Sequence, residues 1–262
     1  MYKLFDSHSH LNDEKFDEDR ENVIQENIKN NVTNLITAGY SVESSKKALE
    51  IAKKYEFMYT TCGISPNDIP QTKEELWKEL EEIRKMIEEN KDKIVAIGEI
   101  GLDYYWNTEN KDLQKIAFIE QIKIANEFNL PIVIHTREAV MDTIQILKKN
   151  IVEQKGVFHC CPQNRELIKE GLKLGFYLSF AGPITFKNSK NANEMIELVP
   201  DDRLLIETDS PYLAPEPVRG KRNLPANVRF VAQKIADVKN LSIENVAKKT
   251  FGNTCKIFKI KI

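Results

Sequence analysis

Four histidines and two acids in this chain have the types and positions expected of ligands to divalent metal. Each of them ends or directly follows a short apolar run, which is the pattern of side chains placed at the ends of strands. Neutral imidazole and carboxylate together suit zinc, manganese, cobalt, nickel or, with more water ligands, magnesium. We therefore predict that the six side chains converge on one site. They are His8, His10, Glu99, His135, His159 and Asp209.

His8 and His10 form an H-x-H pair at the end of the first apolar run. Side chains two residues apart on a strand leave the same face, so this pair can share one ion. The pattern alone is weak, because such pairs also occur by chance on protein surfaces. Asp6 has the same parity, and it either orients a histidine from behind or lies in the interior of the fold.

Glu99 and Asp209 each allow a purely structural interpretation as well. Glu99 ends an apolar run, so it fits a buried acid paired with a helix amide or an arginine. Asp209 fits an ordinary helix N-cap or turn. Convergence with four histidines favours the ligand interpretation for both acids. Glu99 also carries two oxygens and is therefore able to bridge two ions.

Two further features lie beside the predicted ligands. Arg137 closely follows the third histidine, and its guanidinium suits a phosphate through paired hydrogen bonds. An ion pair with Glu138 or with another acid of the loop is the alternative. Cys160 and Cys161 directly follow the fourth histidine, and we expect both to be core or rim residues because neighbours alternate across a strand.

Short β-branched runs alternate with longer amphipathic segments along the chain. The runs are continuously apolar, which is typical of parallel strands buried on both faces. The clearest helical segment runs from Lys73 to Asn90, where Glu81 precedes Lys85 by four residues. The apolar stripe of this helix is Leu76, Leu80, Ile83 and Ile87. The predicted strands span about residues 3–8, 32–38, 57–63, 94–99, 131–135, 156–160, 176–180 and 203–208.

Eight strand–helix units in 262 residues predict an α/β protein with a (β/α)8 barrel fold. An open, doubly wound sheet has the same local pattern. The candidate ligands follow the first, fourth, fifth, sixth and eighth strands, and only a closed barrel brings those strand ends around one mouth. No linker-like stretch divides the chain, so we predict one domain of residues 1–262.

The composition limits the class of protein. An apolar fraction of 41% with 30% charged residues is ordinary for a globular domain with a sizeable core. The net charge of −2 argues against a protein that coats nucleic acid by bulk electrostatics. The sequence shows no signal peptide, no run of transmembrane length and no C-x-x-C pair, so we expect a cytoplasmic protein. We expect neither a membrane nor an obligate protein partner.

The segment that follows the eighth predicted strand differs from the other connections. It runs from Pro211 to Pro225 and contains four prolines and a basic cluster that includes Lys221 and Arg222. Long ordered loops at the mouth of a barrel are usually functional. We predict that these two basic side chains contact substrate.

Several sequence blocks, in order and over nearly the full length, resemble the TatD family of metal-dependent deoxyribonucleases, within the wider amidohydrolase-like barrel superfamily. Blocks in the right order are far more specific than any single motif. The matching blocks are Phe5–Leu11, Ile97–Tyr104, Pro131–Arg137, Phe158–Cys160, Ser179–Phe186, Glu207–Leu213 and Arg219–Asn223.

The resemblance implies a centre of two divalent cations. His8, His10 and Asp209 would bind one ion, His135 and His159 the other, and Glu99 both. It also implies hydrolysis of DNA phosphodiesters, often from an end. In that mechanism two ions stabilise the attacking and leaving oxygens while Asp209 accepts a proton from water.

The chain departs from the family pattern at three places. After the third strand the family usually has G-[IV]-H-P-H, whereas this chain has Ser65 and Asn67 in place of the two histidines. Cys161 begins a segment where the family commonly has F-S-G, and Leu224 replaces the usual acid. These changes leave the metal ligands intact and concern substrate binding, so we include Ser65 and Asn67 among the candidate substrate contacts.

Two other functions fit the same residues. One is a hydrolase of the same barrel that acts on an amide, ester or lactone carbonyl, although the basic segment from Arg219 to Arg222 disfavours it. A metal-containing barrel that binds nucleic acid or protein with weak or no turnover is the non-enzyme alternative, and it is suggested by Ser65 and Asn67.

Overall fold

The computed structural model describes residues 2–261, so Met1 and Ile262 of the predicted domain lie outside the described residues. Eight parallel strands follow one another in chain order around a single sheet. They are β1 (Leu4–Ser9), β2 (Val32–Ala38), β3 (Met58–Cys62), β4 (Ile94–Asp103), β5 (Ile132–Arg137), β6 (Gly156–Phe158), β7 (Tyr177–Phe180) and β8 (Leu204–Ile206).

Helices connect the strands and surround the sheet. They are α1 (Arg20–Lys29), α2 (Val42–Lys53), α3 (Lys73–Glu89), α4 (Lys111–Glu127), α5 (Val140–Lys149), α6 (Arg165–Lys173), α7 (Ala192–Leu198), α8 (Val228–Lys239) and α9 (Ile243–Ile257). Short 3-10 helices span Glu14–Phe16, Gly182–Thr185, Asp201–Arg203 and Pro225–Asn227. Among residues 2–261, none of the helices has the length and hydropathy needed to cross a bilayer.

Hydrogen bonds between β1 and the segment that includes β8 close the sheet into a barrel. The Ser7 hydroxyl donates to the carbonyl of Ile206 over 3.0 Å. Just beyond, the amide of Asp209 donates to the carbonyl of His8 over 2.9 Å, and the amide of His10 to that of Ser210 over 2.7 Å. The predicted single-domain (β/α)8 barrel is therefore confirmed, and the open doubly wound sheet is excluded.

Apolar side chains fill the barrel at the end away from these closing bonds. Phe5, Val95, Val133 and Leu205 come from different strands yet pack in one cluster with Phe258, which directly follows α9. Strands on opposite sides of a barrel share contacts only through its interior, so this cluster is the packed core of the barrel. A second, larger cluster lies between the strands and the surrounding helices.

The predicted helix of residues 73–90 is confirmed as α3. Thr72 forms a capping box with Glu75, which satisfies free amides at the helix start. The predicted apolar stripe is buried. Glu81 pairs with Arg84 over 3.2 Å. Arg84, three residues away on the same face, thus takes the place beside Glu81 that the spacing also offered to Lys85.

The strand boundaries differ from prediction where the ligands lie. β6 ends at Phe158 and β8 at Ile206, so His159 and Asp209 belong to the loops just beyond them. β4 continues to Asp103, and its pairing with β5 shifts register between Ile97 and Ile100. This bulge changes the direction of the chain at Glu99, since an extra residue in one strand re-aims the side chains around it.

Gly101 allows the extended part of β4 to lie against β5. Its φ is +139°, a value that residues with a Cβ rarely adopt, and a Cβ there would lie 2.0 Å from the carbonyl oxygen of His135. Only glycine permits this approach. The close pairing holds the strand that carries Glu99 directly against the strand that carries His135.

Candidate metal centre

The six predicted ligands all lie at the carboxyl end of the barrel, on the edge where active sites of this fold are found. His8, Glu99 and His135 lie within strands, whereas the other three lie in the first residues after strands. The cavity above them has a volume of about 730 Å³. Its lining includes His10, Glu99, His135, His159 and Asp209, together with Ser65, Asn67 and Arg137.

One group of ligand atoms surrounds the Oε2 atom of Glu99. His8 Nε2 lies 3.5 Å and His10 Nε2 lies 3.7 Å from this oxygen. The two imidazole nitrogens are 3.2 Å apart. Asp209 Oδ1 completes the group at 3.2 Å from His10 Nε2 and 3.7 Å from His8 Nε2. Two imidazoles and two carboxylates therefore lie close enough together to bind one ion.

A second group surrounds the other carboxylate oxygen of Glu99. His135 Nδ1 lies 2.9 Å and His159 Nε2 lies 3.2 Å from Oε1. These two imidazole nitrogens are 3.3 Å apart. Glu99 thus directs one oxygen to each group, which is the arrangement required of a carboxylate shared by two ions.

The donor atoms fit divalent metal in chemistry and in spacing. Ligands bound at about 2.0–2.1 Å in a tetrahedral site lie about 3.3 Å from one another, close to the separations between the nitrogens here. His8 Nε2 and His10 Nε2, which are 3.2 Å apart, are close enough to bind one cation together. His8, Glu99 and His159 likewise lie within reach of a common ion, as do His8, His10 and Asp209.

Hydrogen bonds on the outer side of two rings orient them toward the group centres. The Nδ1 atom of His10 lies 3.2 Å from the carbonyl oxygen of Ala38, which can only accept, so Nδ1 carries the proton. The Nε2 atom of His135 lies 2.9 Å from Asp103 Oδ2. In the neutral imidazole, each contact leaves the other ring nitrogen, which faces the ligand groups, able to bind metal.

Both acids of the centre are ionised at neutral pH. Burial raises the pKa of Glu99, but the charge of His159 and hydrogen bonds from the imidazoles outweigh burial and hold it well below its usual range. Burial likewise raises the pKa of Asp209, and its hydrogen bond with His10 more than compensates, so this pKa is also lowered. Ionised carboxylates are the form that binds metal.

Arg137 lies at the cavity wall, at the end of β5. Its guanidinium carbon is 3.8 Å from the centre of the Tyr105 ring, so the cation stacks on an aromatic face. This stacking replaces the alternative ion pair with Glu138. The guanidinium therefore remains available to the cavity with its edge donors.

Ser65 and Asn67 line the cavity on the side of β3, but both make contacts within the protein. The Ser65 hydroxyl donates to Asp68 Oδ2 over 2.6 Å. The Asn67 amide donates to Asp103 Oδ2 over 3.2 Å. Asn67 therefore touches the acid that orients His135.

Lys221 and Arg222 lie in the segment after β8, outside the cavity lining. Lys221 is exposed. The guanidinium of Arg222 forms a two-pronged ion pair with Asp19, with distances of 2.9 and 2.5 Å. It also donates to the carbonyl of Lys15. A phosphate that approaches Arg222 must therefore compete with Asp19.

The known proteins that this chain is similar to are consistent with a metal centre. A family model described as "TatD related DNase" matches residues 5–259. The chain belongs to the TatD family. The sequence-based resemblance is thereby confirmed over nearly the full length.

Relatives of this TatD-family chain are named as metal-dependent hydrolases. It is 44% identical over 261 residues to the uncharacterized metal-dependent hydrolase YabD of Bacillus subtilis strain 168, with 98% of this chain and 99% of that protein covered. It is 37% identical over 264 residues to the uncharacterized metal-dependent hydrolase YcfH of Escherichia coli strain K12, with 98% and 96% covered. The chain is therefore a metal-dependent hydrolase of the TatD family.

A solved TatD homologue has the same fold. The structure of YjjV from Escherichia coli K12 superposes with a TM-score of 0.92 at 24% identity, and the match covers 98% of each chain. The barrel described above is thus the fold of this family.

Asp103 is a residue of the site that the sequence interpretation missed. Its Oδ2 atom contacts His135, and its Oδ1 atom accepts the amides of Tyr105 and Trp106 over 2.8 and 2.9 Å. Burial raises the pKa of Asp103, but the hydrogen bond with His135 and the two amides lower it to about 2. A strand predicted to continue to residue 103 would have revealed it, because residues 99, 101 and 103 share a face.

The other buried groups near the site have structural contacts. Asp6 accepts the amide of Thr208 over 2.9 Å and also its hydroxyl, so it lies in the interior and does not contact a histidine ring. Cys160 lines the cavity, whereas Cys161 packs in the core, as expected for rim and core residues. Glu207 is buried with Oε1 at 3.4 Å from His159 Nδ1.

Replacing Asp103 by asparagine is expected to weaken metal binding by about 10- to 100-fold, the usual effect of removing a carboxylate that orients a ligand histidine. The amide oxygen keeps the loop contacts but loses the charge that holds the His135 proton on Nε2. Titration of chelator-treated protein with zinc, followed by competition with a metal indicator, measures the change.

Asp142→Asn is the matched control, because Asp142 accepts the Tyr104 hydroxyl outside the ligand groups. We expect wild-type affinity from it. Equal affinity of wild type and Asp103→Asn would show that Asp103 only holds the loop.

Proposed function

We propose that this chain hydrolyses DNA phosphodiesters with two divalent cations and removes nucleotides from a strand end. The division of the Glu99 oxygens between two ligand groups supports this most directly, at 3.5 Å from His8 on one side and 2.9 Å from His135 on the other. A shared carboxylate is typical of two-metal sites that act on phosphodiesters. The family description, which names a DNase, supports the choice of DNA.

The proposed ligand sets follow the two groups. His8, His10 and Asp209 would hold one ion, His135 and His159 would hold the other, and Glu99 would contribute to both. Magnesium, manganese, zinc, cobalt and nickel all suit imidazole and carboxylate donors. When bound, the ions would supply positive charge near the phosphoryl oxygens and would lower the pKa of water toward neutrality.

Asp209 is the proposed proton acceptor. Its backbone is held in the left-handed region with φ of 55°, and its amide is fixed to the carbonyl of His8. The carboxylate lines the cavity, so it faces both the ligand groups and incoming substrate. Its lowered pKa keeps it ionised and ready to accept the proton of the attacking water.

Arg137 is the proposed contact to the non-bridging oxygens of the phosphate. It stands on the cavity wall next to His135, and its stacking on Tyr105 leaves its N–H edge for hydrogen bonds. Ser65 and Asn67 line the same cavity, and the Asn67 amide keeps a second N–H besides the one bound to Asp103. A phosphodiester bound in the cavity would therefore meet the Arg137 cation and a neutral donor in addition to the metal ions.

The proposal is tested by metal analysis of the purified protein together with cleavage of end-labelled single- and double-stranded DNA. We expect bound divalent metal and release of labelled mononucleotides. A panel of amide, ester and lactone substrates assayed under the same conditions addresses the carbonyl hydrolase. Turnover of that panel without cleavage of DNA would overturn the proposal, and no turnover of either set would favour a binding protein.

Removing the charge of Lys221 is expected to raise KM for polynucleotides. A lost contact to the DNA backbone also flattens the dependence of log KM on log salt by about 0.7–0.9 units. Lys221→Ala and Arg222→Ala are each assayed between low and high salt. We expect the smaller effect from Arg222→Ala, because Asp19 already neutralises that side chain.

A small chromogenic phosphodiester, which lacks flanking phosphates, serves as the control substrate. Lys91→Ala serves as the control variant, because Lys91 is an exposed lysine between α3 and β4. An equal loss on the small substrate and on DNA would place Lys221 in the folding of its loop and not in backbone contact.

A further inference from the structure

Two large aromatic side chains stand exposed beside the metal centre. Trp106 is 69% exposed and Tyr105 is 51% exposed, although both side chains are mostly apolar. Trp106 also lines the cavity that contains Glu99 and Asp209. Exposed aromatic surface at the edge of a polar cavity is typical of a binding site in which the ligand covers the aromatic rings.

Trp106, Tyr105 and Arg137 form one cluster, here called the aromatic–arginine cluster. The two rings are perpendicular with centres 4.8 Å apart. The guanidinium carbon of Arg137 lies 3.8 Å from the centre of the Tyr105 ring and 5.3 Å from that of Trp106. Cation–π contact and edge packing hold the three side chains together, so the indole has a defined position.

A single carboxylate joins this cluster to the metal centre. Asp103 Oδ1 accepts the backbone amides of both aromatic residues, while Oδ2 contacts Nε2 of His135. The position of the indole relative to the predicted ligands is therefore set by one buried side chain. An aromatic ring at a fixed position beside the metal centre suits a planar part of the substrate.

We propose that Trp106 is the stacking surface for a nucleobase next to the cleaved phosphodiester, with Arg137 binding the adjoining phosphate. The inference rests on the proposed function and names the part of the nucleotide that each side chain contacts. An aromatic ring beside a cation matches the two chemistries of a nucleotide, a planar base and an anionic phosphate. A cavity of about 730 Å³ accommodates a unit of that size.

The first test compares two oligodeoxynucleotides that differ only in whether the terminal nucleotide carries its base. Trp106→Ala is expected to raise KM for the base-bearing oligomer about ten-fold, within the range of base–aromatic stacking. The abasic oligomer has no base to stack, so its KM should change less than two-fold. Trp106→Phe retains a smaller ring and should lie between wild type and Trp106→Ala.

The second test is independent of turnover. The chain has two tryptophans, and the other, Trp77, lies on α3 away from the cavity, so Trp77→Phe leaves Trp106 as the fluorescent reporter. Titration of this metal-loaded variant with the base-bearing oligomer should quench its fluorescence, because stacked bases quench indole. The abasic oligomer of equal charge should not.

The outcomes separate this inference from the proposed function. Quenching by the base-bearing oligomer without any cleavage would keep the stacking surface and overturn the DNase activity. Cleavage in which Trp106→Ala affects both oligomers equally, with no difference in quenching, would overturn the stacking surface and keep the activity.

Discussion

Replacing Glu99 by alanine is expected to remove metal from both ligand groups and to reduce hydrolysis to the uncatalysed background. Each oxygen of this carboxylate faces a different pair of imidazoles, so one substitution takes a charged donor from both groups. His135→Ala takes a donor from one group alone and should lower the bound metal by about half. Metal content per chain, measured by mass spectrometry after gel filtration, tests the difference.

The same experiment includes removal and return of metal in the unmodified chain. A chelator should abolish hydrolysis, and manganese, magnesium or cobalt should restore it. Glu138→Ala is the matched control, since this acid follows β5 near the cavity without joining the ligand groups. Unchanged metal content in a folded Glu99→Ala protein, or full activity in verified metal-free protein, would contradict a two-metal centre that shares Glu99.

Replacing Asp209 by asparagine is expected to lower turnover by ~10²–10⁴, the usual contribution of general base catalysis. Asparagine keeps the shape and one ligand oxygen of Asp209, but its amide does not accept a proton at neutral pH. His10 loses a charged partner at 3.2 Å, so metal affinity should fall less than turnover does. Single-turnover rates at saturating metal separate the chemical step from metal binding.

Glu207→Gln is the comparison variant for this measurement. Glu207 is buried beside His159 Nδ1, behind the ring rather than in the cavity. We therefore expect it to affect turnover less than Asp209→Asn. Near-native turnover of Asp209→Asn together with a large loss in Glu207→Gln would transfer the role of base to Glu207.

The sequence by itself determined the fold class and indicated the six candidate metal ligands. Continuous apolar runs and 3.6-residue periodicity are local properties, so β2 begins and ends as predicted at residues 32 and 38, and α3 ends within one residue of its predicted end. The positions of the four histidines at or just after strands are local too. Strand order then brings them together, because parallel strands in a closed barrel end at one edge.

Only the tertiary structure decided how those residues face one another. The bulge in β4 depends on pairing with β5, and it is this pairing that extends the strand to Asp103 and carries an unpredicted acid to His135. The ion pair of Arg222 with Asp19 joins residues 203 positions apart, beyond the reach of any local pattern.

The two oxygens of Glu99 face different groups because the ends of five strands come together at one edge of the barrel. Each distance depends on the twist and stagger of the barrel, which no single segment encodes. The stacking of Arg137 on Tyr105 follows from the same pairing, since it places the end of β5 beside the loop after β4. Residue types and their order are local information, whereas the directions of side chains arise from contacts between distant segments.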